Sequence, residues 1–292
     1  MSNLSPENII TISAFISSYK YLNETEKKLF PPKIKELFDA KIQFKSTKTL
    51  AMIASEVIQE FLQTPPSLKF PCISKFIESD LFQCCKLLKT NELFSDANTV
   101  AVLSYPKPQK PFPNADYQPL LNLPKLKELF SALYTLQQHQ LLADAECLTA
   151  VMRHEMFPLQ VAKALTILNK ADLLNAKTMA ITTHPTNPAA AAKILTLLSP
   201  LGLLSGEHAE NNFEKVMKHP RPASLLLDIE LLAAEDANPQ QKFEKIMCPR
   251  AYTAPLLLTG VLQGDLMSIE IESPFHTKKS GGVVASMIPG AL

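Results

Sequence analysis

The feature that most constrains this chain is a leucine-rich pattern that recurs through its second half. Residues 195–205 (LTLLSPLGLLS) have a copy thirty residues earlier at 165–175 (LTILNKADLLN) and another sixty-three residues later at 258–268 (LTGVLQGDLMS). A separate pattern, FEKVM at 213–217, recurs as FEKIM at 243–247. Apolar residues at helical spacing, each run followed by a turn, predict pairs of helices. One such hairpin cannot bury its leucines alone, so we expect neighbouring hairpins to stack.

Proline marks where each predicted hairpin ends. A His-Pro or Cys-Pro step stands at residues 184–185, 219–220 and 248–249, and proline cannot continue a helix. Each unit therefore predicts one helix running from a proline to the Leu-Leu turn and a second helix running to the next proline. Asp144, Ser205 and Asn238 stand where the second helices need an N-cap. Weaker copies at 133–142 and 229–232 complete the series, which is long enough for a short α-solenoid.

The first half of the chain predicts separate helices without a repeat. Ser5-Pro6-Glu7 is typical of a helix start, because the serine hydroxyl caps and the proline stands where no N–H is needed. Residues 104–124 carry prolines at 106, 108, 111, 113, 119 and 124. Proline fixes φ and removes a hydrogen-bond donor, so this segment predicts an extended connector at a domain boundary.

These patterns together predict an all-α fold. We expect a helical N-terminal domain at residues 1–103, the connector at 104–124, a helical-hairpin repeat domain at 125–270 and a flexible C-terminal tail at 271–292. The composition agrees, since 7 Gly against 23 Pro suits proline-marked helices better than glycine-rich β-turns. The net charge of +1 offers no basic track for nucleic acid.

The sequence contains no complete catalytic or metal-binding motif. His154-Glu155 lacks the second histidine of a zinc-protease helix, because Pro158 stands at that position. Cys84 and Cys85 are adjacent, so they point apart on a helix, and no histidine precedes His139. The five cysteines form no zinc or disulfide spacing, and no glycine-rich phosphate loop occurs. We expect no enzyme activity, no metal and no cofactor.

One edge of the predicted hairpins collects basic and titratable side chains. All of them fall at or just past the end of a second helix: Arg153, His154, His184, His219, Arg221 and Arg250. Two interpretations stay open. Basic groups near helix C-termini offset the unpaired carbonyls there. If the hairpins stack in register, the same residues form a row of cationic or pH-sensitive donors that binds an acidic partner.

The repeat pattern resembles the leucine-rich helical-hairpin repeats found in secreted effector proteins of Legionella and related intracellular bacteria. Two stretches carry the resemblance, and their matching residues are Ala164, Leu165, Leu168, Asn169, Ala171, Leu173, Leu174, Phe213, Glu214, His219, Pro220 and Pro222. The resemblance covers about half of the chain, and residues 1–103 match no such pattern. It implies a protein that is delivered to a host cell, and it implies no particular reaction.

The tail suggests how such a protein leaves the bacterium. The repeat pattern stops at residue 271, and the resemblance implies a C-terminal signal for a type IV secretion machine. Glu270, Glu272, Ile288, Ala291 and Leu292 fit that signal, and an ordinary frayed terminus is the alternative. Residues 1–10 lack the basic and apolar regions of a signal peptide, and no apolar run is long enough to span a membrane. We therefore expect delivery into the host cytoplasm.

The leading functional prediction is a protein–protein interaction scaffold. Two alternatives stay open. One is an enzyme with an unrecognised site in residues 1–103 that the repeats direct to a substrate. The other is peripheral membrane binding, in which the basic edge contacts anionic lipid.

Overall fold

The computed structural model describes residues 4–39, 47–64, 70–105, 125–154, 157–233 and 238–247. These ranges are mostly helical and contain no strand, so the all-α prediction is confirmed. The first seven helices are α1 (Pro6–Lys20), α2 (Glu24–Lys27), α3 (Pro32–Asp39), α4 (Thr47–Gln63), α5 (Pro71–Glu78), α6 (Asp80–Thr90) and α7 (Asp96–Leu103). The α-helices that follow are α8 (Lys125–Gln138), α9 (Ala145–Arg153), α10 (Pro158–Lys170), α11 (Pro188–Leu198), α12 (Ala209–Lys218), α13 (Leu226–Ala233) and α14 (Pro239–Met247). Two 3₁₀ helices, Thr178–Thr183 and Pro222–Leu225, stand before α11 and α13.

Phenylalanine 15 is the centre of the N-terminal core. Its ring stacks on Phe76 of α5 with centroids 4.5 Å apart. It also contacts Phe61 of α4 at 5.8 Å and Phe38 of α3 at 6.0 Å, both edge to face. Edge-to-face and offset pairs are the favoured aromatic geometries, each worth about 0.5–1.5 kcal/mol beyond burial. One side chain of α1 therefore joins three other helices.

The start of α1 also closes the end of α7. Ser5 caps α1 as predicted, because its hydroxyl accepts the N–H of Asn8 at 3.2 Å. The buried Asn8 amide then donates to the carbonyls of Leu103 at 2.8 Å and Val102 at 3.1 Å. The last carbonyls of a helix have no partner within it, so Asn8 supplies the donors that α7 lacks.

Helices on the two sides of the predicted connector share an apolar core. α6 packs against α8, and Leu88 belongs to the same buried cluster as Leu129. The hydroxyl of Tyr105 donates to the carbonyl of His154 at 2.9 Å across this junction. The described residues all belong to one contact unit, Met1–Cys248. Residues 106–124 lie outside the described ranges, and the domain boundary stays a prediction.

The leucine pattern places the same two positions of each first helix in the core. The first position is fully buried in all four described copies: Leu133, Leu165, Leu195 and Ile229. The second, three residues later, is buried as well: Leu136, Leu168, Leu198 and Leu232. These first helices are α8, α10, α11 and α13, and each packs against the next one in that order. The fifth predicted first helix lies outside the described residues.

The observed second helices agree less well with those that the sequence predicts. Asp144 caps α9 as predicted, accepting the N–H groups of Glu146 and Cys147 at 2.9 Å. Ser205 does not cap α12, which begins four residues later at Ala209. The hydroxyl of Ser205 instead donates to the carbonyl of Gly202 at 3.0 Å. Gly202 and Gly206 adopt φ of 71° and 76°, and these left-handed residues lengthen the turn before the helix.

The second helix after residue 174 is a 3₁₀ helix, Thr178–Thr183, where the pattern predicted an ordinary helix. Threonine hydroxyls account for the difference. Those of Thr182 and Thr183 each donate to a carbonyl three residues earlier at 2.8 Å. Asn175 accepts the N–H of Thr178 at 3.0 Å. Such local side-chain bonds compete with the α-helical ladder.

Leu198→Ala tests the core position of the repeat. We expect it to lower the free energy of unfolding by about 2–5 kcal/mol, because it leaves a cavity beneath α11. Leu227→Ala is the matched control in α13, where the leucine is 60% exposed, and it should change stability by less than about 0.5 kcal/mol. Urea denaturation of both variants measures the difference, and equal losses would mean that the alignment of the helices is wrong.

Candidate functional site

The three histidines of the predicted edge occupy the same place in their hairpins. His154, His184 and His219 each follow directly on the last residue of a second helix as its C-cap. In each case the ring nitrogen Nδ1 accepts a backbone N–H from the following turn. The distances are 2.9 Å from Phe157 to His154, 3.3 Å from Thr186 to His184 and 3.2 Å from Arg221 to His219.

This geometry determines the protonation of the rings. A backbone amide can only donate, so Nδ1 must be unprotonated in all three residues. Burial is the largest influence on each of them, and it lowers the pKa of His154, His184 and His219 below the ordinary histidine value. Both observations favour the neutral form of the three rings, and a part for these histidines in a binding edge stays a prediction.

His184 is the most enclosed of the three. It is fully buried and lies against the end of α12. The backbone carbonyls of Val216 and His219 act to raise its pKa, and the larger effect of burial lowers it. This ring therefore lies buried between consecutive hairpins.

The arginines of the edge differ from the histidines in exposure. Arg153 and Arg221 are exposed, and Arg250 lies outside the described residues. The hydroxyl of Thr186 donates to the carbonyl of Pro220 at 3.0 Å, which joins the turn after His184 to the turn that carries Arg221. His184, His219 and Arg221 thus lie close together. Whether Arg153 belongs to the same surface stays a prediction.

The two adjacent cysteines of α6 lie in the core. Cys84 and Cys85 are fully buried in α6. Burial raises the pKa of Cys84 well above the ordinary thiol value and the pKa of Cys85 to about 12. Thiols with raised pKa are poor nucleophiles. Among the residues that the structure describes, no three His, Cys, Asp or Glu side chains form a group that could hold a metal.

Two clefts open near the end of α1, and the sequence analysis found neither. The first has a volume of about 240 Å³ and is lined by Ile16, Tyr19, Lys20, Lys27, Phe38 and Asp39. The second has a volume of about 320 Å³ and is lined by Ser18, Tyr21, Leu22, Phe70, Pro71, Cys72 and Lys75. Their residues come from α1, α2, α3 and α5, so no local spacing in the sequence indicates them.

Comparisons with known proteins give no further identification. No protein-family model, curated protein or solved structure matches the chain. No helix in the described ranges is long and apolar enough to cross a membrane.

We expect the buried His184 to make the stability of the protein depend on pH. Since the pKa of His184 is lowered in the folded state, the unfolded chain takes up the proton first, and stability falls as the pH drops below about 6.5. We expect His184→Asn, whose amide oxygen can accept the same N–H groups, to weaken this fall between pH 7 and pH 5. Urea denaturation at both pH values measures it.

His208→Asn is the control for this experiment, because His208 is exposed. We expect it to keep the pH dependence of the wild type. If His184→Asn also keeps that pH dependence, the neutral buried ring does not contribute to it.

Proposed function

We propose that this chain is a protein–protein interaction scaffold whose residues 125–270 form a short α-solenoid of helical hairpins. The observation that carries the proposal is a polar pair that recurs between consecutive second helices. Lys177 and Asn212 each stand seven residues before the histidine that ends their unit. Lys177 pairs with Glu210 of the next unit. Asn212 exchanges two amide hydrogen bonds with Gln240 of the unit after that, at 2.8 and 3.2 Å.

The residues that pair with Lys177 and Asn212 also occupy equivalent positions in their units. Glu210 stands three residues before Phe213, and Gln240 stands three residues before Phe243. Both phenylalanines are buried. The same two positions therefore meet at successive interfaces, once as an ion pair and once as an amide pair. Contacts that join only neighbouring units in a constant register are the defining property of solenoids.

Three further links agree with this register. Lys193 of α11 binds Glu230 of α13 at 2.7 Å. Lys215 of the first FEK copy lies 3.8 Å from Glu244 of the second. Thr186 bonds the turn at Pro220, as described above. Exposed ion pairs of this kind add little stability, but they favour one alignment of neighbouring hairpins over its alternatives.

The scaffold is favoured over the enzyme alternative by the state of the reactive groups. Cys84, Cys85 and His184 are buried, and burial shifts the pKa of each toward its neutral form. A nucleophile needs the opposite environment. The described part of the repeat half instead exposes Arg153 and Arg221 at one edge, and Leu227 and Leu231 on α13.

The binding edge of the scaffold consists of Arg153, Arg221 and Arg250, and its partner is an acidic host protein. Arginine suits this role because its guanidinium forms paired hydrogen bonds with a carboxylate. The resemblance of the repeats to those of secreted effectors supports a host-cell partner. It also supports type IV delivery, with residues 271–292 as the signal. Those residues lie outside the described ranges.

Charge reversal tests the binding edge. We expect Arg153→Glu with Arg221→Glu to abolish capture of the partner from host-cell lysate, as read by mass spectrometry, with circular dichroism unchanged. Lys89→Glu with Lys170→Glu is the matched control, since both lysines are exposed and the net charge changes equally. If the variant still captures the partner, these arginines do not bind it, and they only offset the unpaired carbonyls at the helix ends.

A translocation reporter tests the effector role. The reporter is fused before residue 1 of the full chain and of a chain that ends at Ser273. We expect delivery of the full chain into host cells and none of the shortened chain, because the signal is at the C-terminus. Equal delivery of both would exclude the tail as the signal, and delivery of neither would exclude the effector role.

A further inference from the structure

The outer face of α1 carries no charged side chain. Its exposed residues follow one another at intervals of three or four along the helix: Pro6, Ile10, Ala14, Ser17 and Tyr21. Ile10 is 71% exposed and Tyr21 is 90% exposed. The opposite face buries Ile12 and Phe15 in the core. A surface helix ordinarily turns charged and polar residues to the solvent, whereas a helix without charges on either face is typical of one that is covered on both sides.

A recess lies beside this face at the end of the helix. It is the second cleft, of about 320 Å³, and its walls include Ser18, Tyr21, Leu22 and Phe70. A single exposed apolar residue is normal on a protein surface. Here, however, the exposed Ile10 and the open cleft lie on one helix, about 12 Å apart along its axis. The helix thus presents an apolar projection and an apolar recess.

The charges at the two ends of α1 are complementary. Near its start, two acids face one base: Glu7, Asp80 and Lys127. Near its end, the exposed Lys75 brings an ammonium group to the second cleft. The acid that acts on Cys72 of this cleft is Glu26, and its carboxylate already accepts the N–H of Asn23 at 2.8 Å. Two such helices side by side attract each other when they run antiparallel, because a parallel pair would bring the acidic ends together.

We propose that two copies of this chain pair through the outer faces of α1, with the helices antiparallel and a two-fold axis at Ala14. In this register Ile10 of one copy lies opposite Ser18 of the other and enters its second cleft. Glu7 of one copy is level with Tyr21 of the other, beside Lys75. A two-fold axis repeats each of these contacts, and the small side chain of Ala14 lets the two backbones approach. The pairing is independent of the scaffold function.

Sedimentation velocity of the full chain over a range of concentrations tests the pairing. One helix and one cleft bury less than about 1,200 Å², so we expect a weak dimer with a Kd on the order of 10–100 μM. Ile10→Glu should raise that Kd at least about tenfold, because it places a carboxylate in an apolar cleft. Its melting temperature in dilute solution should match the wild type, since Ile10 is exposed in the single copy.

Leu227→Glu is the matched control, because this leucine of α13 is 60% exposed and the net charge changes equally. It should leave the Kd unchanged. A wild-type chain that stays monomeric up to about 1 mM, or equal Kd values for the Ile10→Glu variant and the wild type, would overturn the proposal.

Cross-linking tests the register without relying on Ile10. In Ala14→Cys the two new thiols lie on the axis, within reach of a disulfide. In Tyr21→Cys each thiol is seven residues from the axis, which separates the two by about 21 Å. After mild oxidation, we expect a covalent dimer on a non-reducing gel for Ala14→Cys alone, with the wild type as the control for the native cysteines. No dimer in Ala14→Cys, or an equal yield in Tyr21→Cys, would overturn the antiparallel pairing.

Vesicles separate pairing from membrane binding, which is the other common use of an apolar helix face. The full chain is mixed with vesicles of phosphatidylserine and phosphatidylcholine and sedimented. We expect the wild type and Ile10→Glu to bind these vesicles equally or not at all. Vesicle binding that requires Ile10, by a chain that is monomeric in solution, would overturn the proposal.

Discussion

Burial of apolar stripes on short helices is the constraint on which the rest of this structure depends. The longest described helix, α4, has 17 residues, and many have 8 to 11. Helices of this length are marginal by themselves in water, so each gains its stability from neighbours. In the first half the neighbours meet around Phe15. In the second half they meet along the paired positions represented by Leu195 and Leu198.

Polar groups then select one arrangement among those that apolar packing allows. The buried amide of Asn8 donates to the carbonyls of Val102 and Leu103 at the end of α7 and to that of Tyr105 just beyond it. The buried amide of Asn212 bonds the turn carbonyl of Leu203 as well as Gln240. Leucines can pack in several registers at small cost, whereas a buried amide left without partners costs more. The histidines at the hairpin ends serve the same purpose, since each ring accepts the N–H of one particular turn.

The burial of the histidine rings changes how the basic edge is interpreted. From the sequence, His184 and Arg221 looked equivalent, because both stand just past the end of a second helix. In the structure, His184 is buried, which lowers its pKa, and Arg221 is exposed. The histidine rings accept N–H groups of the turns, whereas Arg153 and Arg221 are exposed to solvent. Spacing along a chain cannot make that distinction, because it depends on what the next hairpin covers.

The sequence alone determined the class of the fold, the place of most proline breaks, the caps at Ser5 and Asp144, and the buried leucine positions in the four first helices that the structure describes. These are local properties, because they follow from apolar periodicity and from the chemistry of one or two residues. It did not determine the lengthened turn before α12, the 3₁₀ helix at Thr178–Thr183 or the core that α6 shares with α8. Nor could it find the cleft beside Tyr19. Those features depend on residues brought together from distant helices, and only tertiary packing decides which side chains are covered and which of their polar atoms find partners.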